Sequence, residues 1–370
     1  MNLADNIQTL RKTHKLSQDQ LAEALEVSRQ SISKWELGAA LPDITMLPRL
    51  SQYFHVSTDA LLGLVPLDEA YCPSNSGTRE YWAGRVAYLK RTRKTMWNTD
   101  YMDFLIKQVW QLHEPVHVLD CGCGYGALGL LLLPLLPQGS TYTGVDFSEE
   151  MLQEGQKLYA AAGLKAKWVL ADILNFSPKE SYDLVISQAL LRHVNDGVRY
   201  LEQMTRFAKP QGLVVTMECN REFEADGLYI PGMDYAALCE HQGLKKLWRT
   251  ELQMQNRDYS IAMKLPHLMK QLGLHHIGCR MNDRVTFLEP EQADYSQTLQ
   301  DIADADHWTV EKSTQATERD IAYFMNHGMS RKEAEEYCRQ QNSIVQYLKQ
   351  HSGDAALTKV TGIVITYGWK

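Results

Sequence analysis

Between Val116 and Gly129 the chain passes from a strand-like run, Val116-His117-Val118-Leu119-Asp120, into Cys121-Gly122-Cys123-Gly124-Tyr125-Gly126 and straight on into an apolar helix. Glycines at a strand end let the backbone approach a ligand closely. The spacing Gly124-x-Gly126-x-x-Gly129, with Asp146 about 20 residues on, also satisfies the dinucleotide fingerprint, so a nicotinamide enzyme is one reading. Asp120 at the mouth of the loop favours another. A carboxylate there repels a pyrophosphate but attracts a ligand bearing an ammonium and a sulfonium, and S-adenosylmethionine is such a ligand. Asp146, closing Gly144-Val145-Asp146, can accept from both ribose hydroxyls, and either cofactor would use it.

Two further segments bear on the choice. Ala171-Asp172-Ile173 ends a third strand, where a carboxylate can accept from an adenine amino group and an apolar neighbour can cover the ring. Ser187-Gln188-Ala189-Leu190-Leu191-Arg192-His193 follows a fourth. In order, Asp120 to Gly126, Asp146, Asp172 and Gln188 to His193 resemble the motifs of the class I (Rossmann-like) S-adenosylmethionine-dependent methyltransferases, over about Tyr81 to the C-terminus. That resemblance implies that Gly122, Gly124 and Gly126 hold the methionine moiety and Asp146 the ribose. It puts Phe147, Met151, Asp172 and Ile173 around adenine, Gln188 below the methionine portion and His193 near the methyl group. The segment Arg91 to Tyr101 resembles the N-terminal helix that covers the cofactor in a bacterial subset, which makes Tyr88, Arg93 and Trp97 candidates for that cover. Packing roles compete with several of these. Phe147 and Met151 have the i, i+4 spacing of a core pair, Arg91, Arg93 and Lys94 suit a solvated face, and His193 suits a satisfied core histidine.

The elements that must position these residues alternate between strand and helix, which implies a parallel sheet with covering helices. Seven strands are expected: Val116 to Asp120, Thr141 to Asp146, Lys167 to Asp172, Tyr182 to Ser187, Leu213 to Glu218, His276 to Phe287 and Thr358 to Tyr367. The fold class is α/β, a doubly wound Rossmann-like domain over residues 79–370, with a helical cap inserted at about 289–353 between the last two strands. Residues 65–78, rich in Pro, Ser, Asn and Gly, read as a linker. The segment after Glu218-Cys219-Asn220 and the cap are the expected sources of substrate selection, with Tyr229, Met233, Tyr235, Trp308 and Tyr323 as candidate pocket residues.

Residues 1–64 form a separate all-α unit. Ser17-Gln18-Asp19-Gln20 and Ser28-Arg29-Gln30-Ser31 each open a helix with a serine cap, and only a tight connection separates the two. Leu16-Ser17-Gln18-Asp19-Gln20-Leu21-Ala22, Val27 to Glu36, Pro42-Asp43 and Val56 to Leu62 resemble the Xre/lambda-repressor-like helix-turn-helix family. The resemblance implies five helices, the third in the DNA major groove, with Gln18, Arg29, Gln30, Ser31, Ser33 and Lys34 facing DNA. Leu37 departs from the polar or basic residue usual there. Six basic against seven acidic side chains over residues 1–63 are a poor balance for a phosphate binder, so dimerisation is the competing role.

Composition sets the outer bounds. The net charge of −7 gives no overall pull toward nucleic acid, so DNA contact must be local. The longest apolar stretch, Ala127 to Leu136, is too short to span a bilayer, and the N-terminus shows no signal-peptide pattern, so a cytoplasmic protein is expected. Seven scattered cysteines do not form a disulfide framework, and Cys121-x-Cys123 lacks a second pair at zinc spacing, so no metal is expected. The expected activity is methyl transfer from S-adenosylmethionine to a small molecule, with His193 as general base if the nucleophile must lose a proton. Two alternatives stay open: a transcriptional regulator that senses S-adenosylmethionine without catalysis, and an NAD-dependent oxidoreductase.

Overall fold

A computed structural model describes residues 3–13, 16–54, 56, 58–63, 85–94, 96–194, 196–239, 242–255 and 257–370. The expected linker at 65–78 lies outside the described residues. The N-terminal unit has the five implied helices: α1 (Leu3–Thr13), α2 (Gln18–Leu25), α3 (Arg29–Glu36), α4 (Met46–Phe54) and α5 (Thr58–Leu62). Ser17 and Gln20 complete a capping box at α2, and Ser28 caps α3 by accepting from Ser31 N at 3.1 Å. Ile7, Leu21, Leu25, Ile32, Leu50 and Leu61 fill the core. Beside it, the buried Glu36 carboxylate takes a two-pronged contact from Arg11 and a 2.9 Å bond from Gln18 Nε2.

The described residues of the main domain form ten strands: β1 (His117–Cys121), β2 (Thr141–Asp146), β3 (Lys167–Leu170), β4 (Tyr182–Gln188), β5 (Ala208–Cys219), β6 (Leu228–Tyr229), β7 (His275–Met281), β8 (Val285–Leu288), β9 (Leu357–Val360) and β10 (Ile363–Trp369). Seven form the central sheet in the order β3-β2-β1-β4-β5-β10-β7. β1 to β5 run parallel, and β10 lies antiparallel between β5 and β7. Both faces are covered. The helix from Thr99 and the Ala127–Leu132 helix lie over one core, and the Gly197–Phe207 and Ile261–Gln271 helices over the other. Strand order reverses between β1 and β4, so the carboxyl ends of β1, β2 and β4 open a crevice where ligands bind in such sheets.

Each of the last two expected strands is broken in two, which corrects the reading of His276 to Phe287 and Thr358 to Tyr367 as single strands. The buried Asn282 accounts for the break. Its backbone N–H donates to Ile363 O at 2.9 Å, its Oδ1 accepts from Ile363 N at 3.1 Å, and its Nδ2 donates to Met96 O at 3.0 Å. Opposite it, Gly362 turns the chain at a φ of 67°. Beyond these points β8 and β9 join β6 in a second, antiparallel sheet, ordered β6-β9-β8. The cap includes the expected inserted helices, Tyr295–Ala305, Thr314–Asn326 and Arg331–Gln350, but also Gln242–Gln255 from the segment after β5. One apolar cluster joins Leu228, Ile230 and Leu238 to Ile302, Trp308, Ile344 and Leu357, so both segments share a core. Among the described residues no helix is long and apolar enough to cross a membrane.

Gly129 of the Ala127–Leu132 helix backs onto Tyr142 and Tyr159, whose ring centroids lie 5.6 Å apart. A Cβ there would overlap both rings. Gly129→Ala is expected to cost about 1–3 kcal/mol by overpacking, read as a lower urea midpoint for the main domain. An unchanged midpoint would contradict this packing.

Candidate functional site

The loop after β1 is turned by three left-handed glycines, Gly122, Gly124 and Gly126, at φ of 70°, 54° and 76°. Their surroundings differ. A Cβ on Gly124 would meet nothing within 4 Å, so the backbone there borders open space, whereas Gly126 packs on Trp168 and Tyr159. Gly122 N and Cys123 N both donate to Val145 O, at 2.8 and 3.0 Å, which fixes the loop against the end of β2. Asp146, at that end, accepts from Gly124 N at 2.8 Å and Ser148 N at 2.9 Å. Burial raises its pKa, while these donors oppose the shift. Each oxygen keeps a second lone pair for a ligand hydroxyl.

Asp120 is buried and sits in register with Gly144 of β2. The missing side chain at Gly144 leaves room for the Tyr142 ring, whose hydroxyl donates to Asp120 Oδ2 at 2.7 Å. Burial pushes the Asp120 carboxyl up to about 7, against the Tyr142 hydrogen bond and with a smaller push from the charge of Asp146. Among the described residues no cation is paired with it. A buried carboxylate so placed fits a cationic group on a ligand.

A first cleft brings together Asp120, Gly122, Gly124, Asp146, Phe147, Met151, Gln188, Arg93 and His193. Met151 also packs with Leu89 and Tyr125, so it lines the cleft and belongs to a small core at once. Gln188 Nε2 donates to Met96 Sδ across the cleft. Five expected residues, Gly126, Asp172, Ile173, Trp97 and Tyr88, lie outside this cleft. Gly126 is behind the loop, and Asp172 caps the turn after β3 through Leu174 N at 2.9 Å. Ile173 is buried in the core beneath the Gly197–Phe207 helix, and Trp97 packs against the core of the opposite face. Tyr88 stacks on His307 of the cap at 5.7 Å. The Val86–Lys94 helix spans from sheet to cap, through Lys90–Glu154 at 2.9 Å and Arg91–Asp304 at 3.5 Å.

Leu89, Arg93, Ala189 and His193 also border a second cavity of ≈ 440 Å³ under the cap. His193 thus stands between the two spaces. It is buried, and its Nε2 accepts from Arg192 Nε at 2.9 Å. Burial, followed by the charges of Arg192, Arg257, Arg221 and Arg93, holds its pKa well below 6.5, so the ring is neutral at pH 7. The loop carrying it is pinned by Glu218, whose Oε1 accepts from Leu190 N and Leu191 N at 2.8 Å each. Sequence reasoning did not single out Tyr142, Glu218 or the arginine cluster. For Tyr142 the usable signal was its two-residue spacing from Gly144 on a strand paired with Asp120. For Glu218 and the arginines no local pattern existed. Of the aromatic pocket candidates, Trp308 lines this cavity, Tyr323 donates to Glu251 at 2.8 Å, Met233 packs in the cap core, and Tyr229 and Tyr235 are exposed.

In the N-terminal unit, Arg29, Gln30 and Lys34 lie exposed along α3, with Ser31 and Ser33 half-buried between them. Ser31 faces back to Ser28 at 2.9 Å, and Gln18 is engaged with Glu36. Leu37 caps α3 and is 76% exposed.

The raised pKa of Asp120 has a stability consequence. Its unfolded value is about 3.9, so from about pH 4 upward the unfolded chain releases a proton that the folded chain retains, and stability falls as pH rises toward 7. Asp120→Asn keeps the acceptor for Tyr142 and removes this cost. In the ligand-free protein the variant is expected to be the more stable at pH 8, by on the order of a few kcal/mol, with the difference shrinking toward pH 4. Urea melts at both pH values check this; a variant less stable at pH 8 would contradict it.

Residues 112–265 match the family model described as a methyltransferase domain, and residues 7–61 match that of a helix-turn-helix. The ubiquinone biosynthesis O-methyltransferase of Bradyrhizobium diazoefficiens is 30% identical over 120 residues, covering 32% of this chain and 46% of that protein. Its counterpart from Coxiella burnetii is 32% identical over 120 residues, covering 32% and 50%. The chain therefore spans about half the length of the curated relatives it matches. Among solved structures, phosphoethanolamine N-methyltransferase 2 of Haemonchus contortus aligns over 79% of this chain and 59% of that one, at 13% identity and a TM-score of 0.44. Residues 7–61 are thus similar to a helix-turn-helix domain and residues 112–265, behind them, to a methyltransferase domain.

Proposed function

We propose that the chain transfers a methyl group from S-adenosylmethionine to a small molecule seated in the cavity under the cap, in the cytoplasm. The observation that carries this reading is Asp120, a buried carboxylate with no cationic partner among the described residues, facing a cleft lined by Gly124 and Asp146. A pyrophosphate would be repelled there, which weighs against a nicotinamide cofactor. When bound, S-adenosylmethionine supplies an electrophilic methyl group on a sulfonium. Asp120 takes the ammonium, the backbone at Gly122 and Gly124 borders the methionine chain, Asp146 accepts from the ribose, and Phe147 and Met151 cover adenine. Gln188 lies below the methionine portion, and Arg93 with Tyr88 belongs to the covering helix. Gly126, Ile173 and Trp97 support the site from behind, and Asp172 shapes the turn at its edge.

Alignment of the nucleophile and exclusion of water do most of the work in such a displacement. His193 is the proposed proton acceptor for an acceptor group that must ionise. Its neutral state suits that role once Nε2, which accepts from Arg192 Nε, is released, and burial together with the four surrounding arginines makes proton uptake costly. Calorimetric titration with S-adenosylmethionine, S-adenosylhomocysteine and NADH tests the reading. The two adenosyl ligands should bind, NADH should not, and Asp146→Ala should weaken binding by at least about tenfold, as expected when charge-assisted hydrogen bonds are lost. NADH binding without the adenosyl ligands would overturn it.

The exposed row Arg29, Gln30 and Lys34 on α3 supports a second role, local DNA binding through the major groove by two copies on a palindromic site. A gel-shift screen over genomic fragments should give a specific complex that the triple alanine variant loses. A shift retained by that variant would place the contact elsewhere, and no shift from any fragment would count against DNA binding.

A further inference from the structure

Resting on the methyltransferase reading, we infer that the acceptor is an organic anion whose carboxylate or phosphate is held by the arginine cluster of the cavity under the cap. Among the described residues Arg93, Arg192, Arg221, Arg257 and Lys359 border that cavity, with Arg85 at its edge engaged in contacts of its own. Four carboxylates stand against them. Glu224 pairs with Arg221, Asp306 with Lys359, and Glu251 with Arg257 at 3.4 Å, while Glu218 lies near Arg192 and spends Oε1 on backbone N–H groups. Among the described residues no carboxylate stands against Arg93, so this arginine and Arg192 beside it make their part of the wall positive. It is the part shared with the cofactor cleft, where Arg93 and His193 border both spaces. Arg192, beside them, gives its Nε to His193, and its Nη1 is buried with no hydrogen-bond partner. Buried guanidinium N–H groups normally find an acceptor, and a planar anionic group offers a two-pronged one.

The rest of the wall describes the remainder of the ligand. Tyr88 stacked on His307, with Trp308, Trp248 and Ile344, gives a flat, apolar surface suited to a ring or a short hydrocarbon. An anion bound beside Arg192 would also offset the arginine charges that, after burial, hold the His193 pKa down.

The test uses the full chain saturated with S-adenosylhomocysteine and four probes of one shape: phenylacetate, phenyl phosphate, 2-phenylethanol and 2-phenylethylamine. At least one anion should bind about tenfold or more tightly than the alcohol and the amine, as charge-assisted hydrogen bonds predict, and the tighter of the two identifies the head group. Arg192→Gln should remove most of that preference and leave S-adenosylhomocysteine affinity unchanged. Gln341→Glu is a second variant of unchanged shape. Its Oε1 still accepts from Trp308 Nε1 while it adds a negative charge to the wall, and it should weaken the anions and spare the alcohol. Equal binding of all four probes, binding of neither anion, or an anion preference untouched by both variants would overturn the inference. Anion preference in a protein that does not bind S-adenosylhomocysteine would sink the cofactor reading instead, and leave the charge selectivity of the cavity standing.

Discussion

The main domain is organised around a buried carboxylate that faces a cleft. Asp120 lies near the carboxyl end of β1, an interior strand of a sheet covered on both faces, and burying its charge without a partner costs free energy that the rest of the fold must supply. Tyr142 and the glycine loop make that position tolerable without neutralising it. The Tyr142 hydroxyl reaches Asp120 only because Gly144 stands in register with it, and the loop bends away at Gly122 to leave the space in front of Gly124 open. Such a cost is typical of sites in which a ligand completes the electrostatics.

The site is divided into two electrical halves. The cleft over β1 and β2 is negative, through Asp120 and Asp146; the cavity under the cap is positive, through the arginines around His193. The two halves come from different parts of the chain. The sheet supplies the first, and the second is assembled from the Val86–Lys94 helix, the loop after β4, the segment after β5 and the inserted cap. A cationic donor and an anionic acceptor would each find its own half, with His193 and Ala189 at the boundary.

How far the sequence foretold this follows from how local each constraint is. The glycine loop, Asp146 and the two serine-capped helices α2 and α3 were legible because strand ends, caps and turns are fixed by a few consecutive residues, whereas the other three helices of the N-terminal unit came from the family resemblance. The two broken strands were not legible. The break is made by Asn282 bonding to Ile363 across 81 residues of chain, beside the turn at Gly362. Ile173 looked like an adenine cover by its neighbourhood in sequence, but its side chain points to the opposite core. The arginine cluster was not legible as a cluster, although Arg93 was a candidate, because Arg93, Arg192, Arg221 and Arg257 lie far apart in sequence and meet only around one cavity.

The most direct test of this account is the proton count on binding S-adenosylmethionine at pH 6, obtained by calorimetry in buffers of different ionisation enthalpy. Asp120 is largely protonated in the free protein at that pH, and an ammonium or sulfonium beside it would drive the proton off. The account predicts release of on the order of one proton, absent in Asp120→Asn. Binding without proton release, or release that survives in Asp120→Asn, would contradict the place given to this carboxylate.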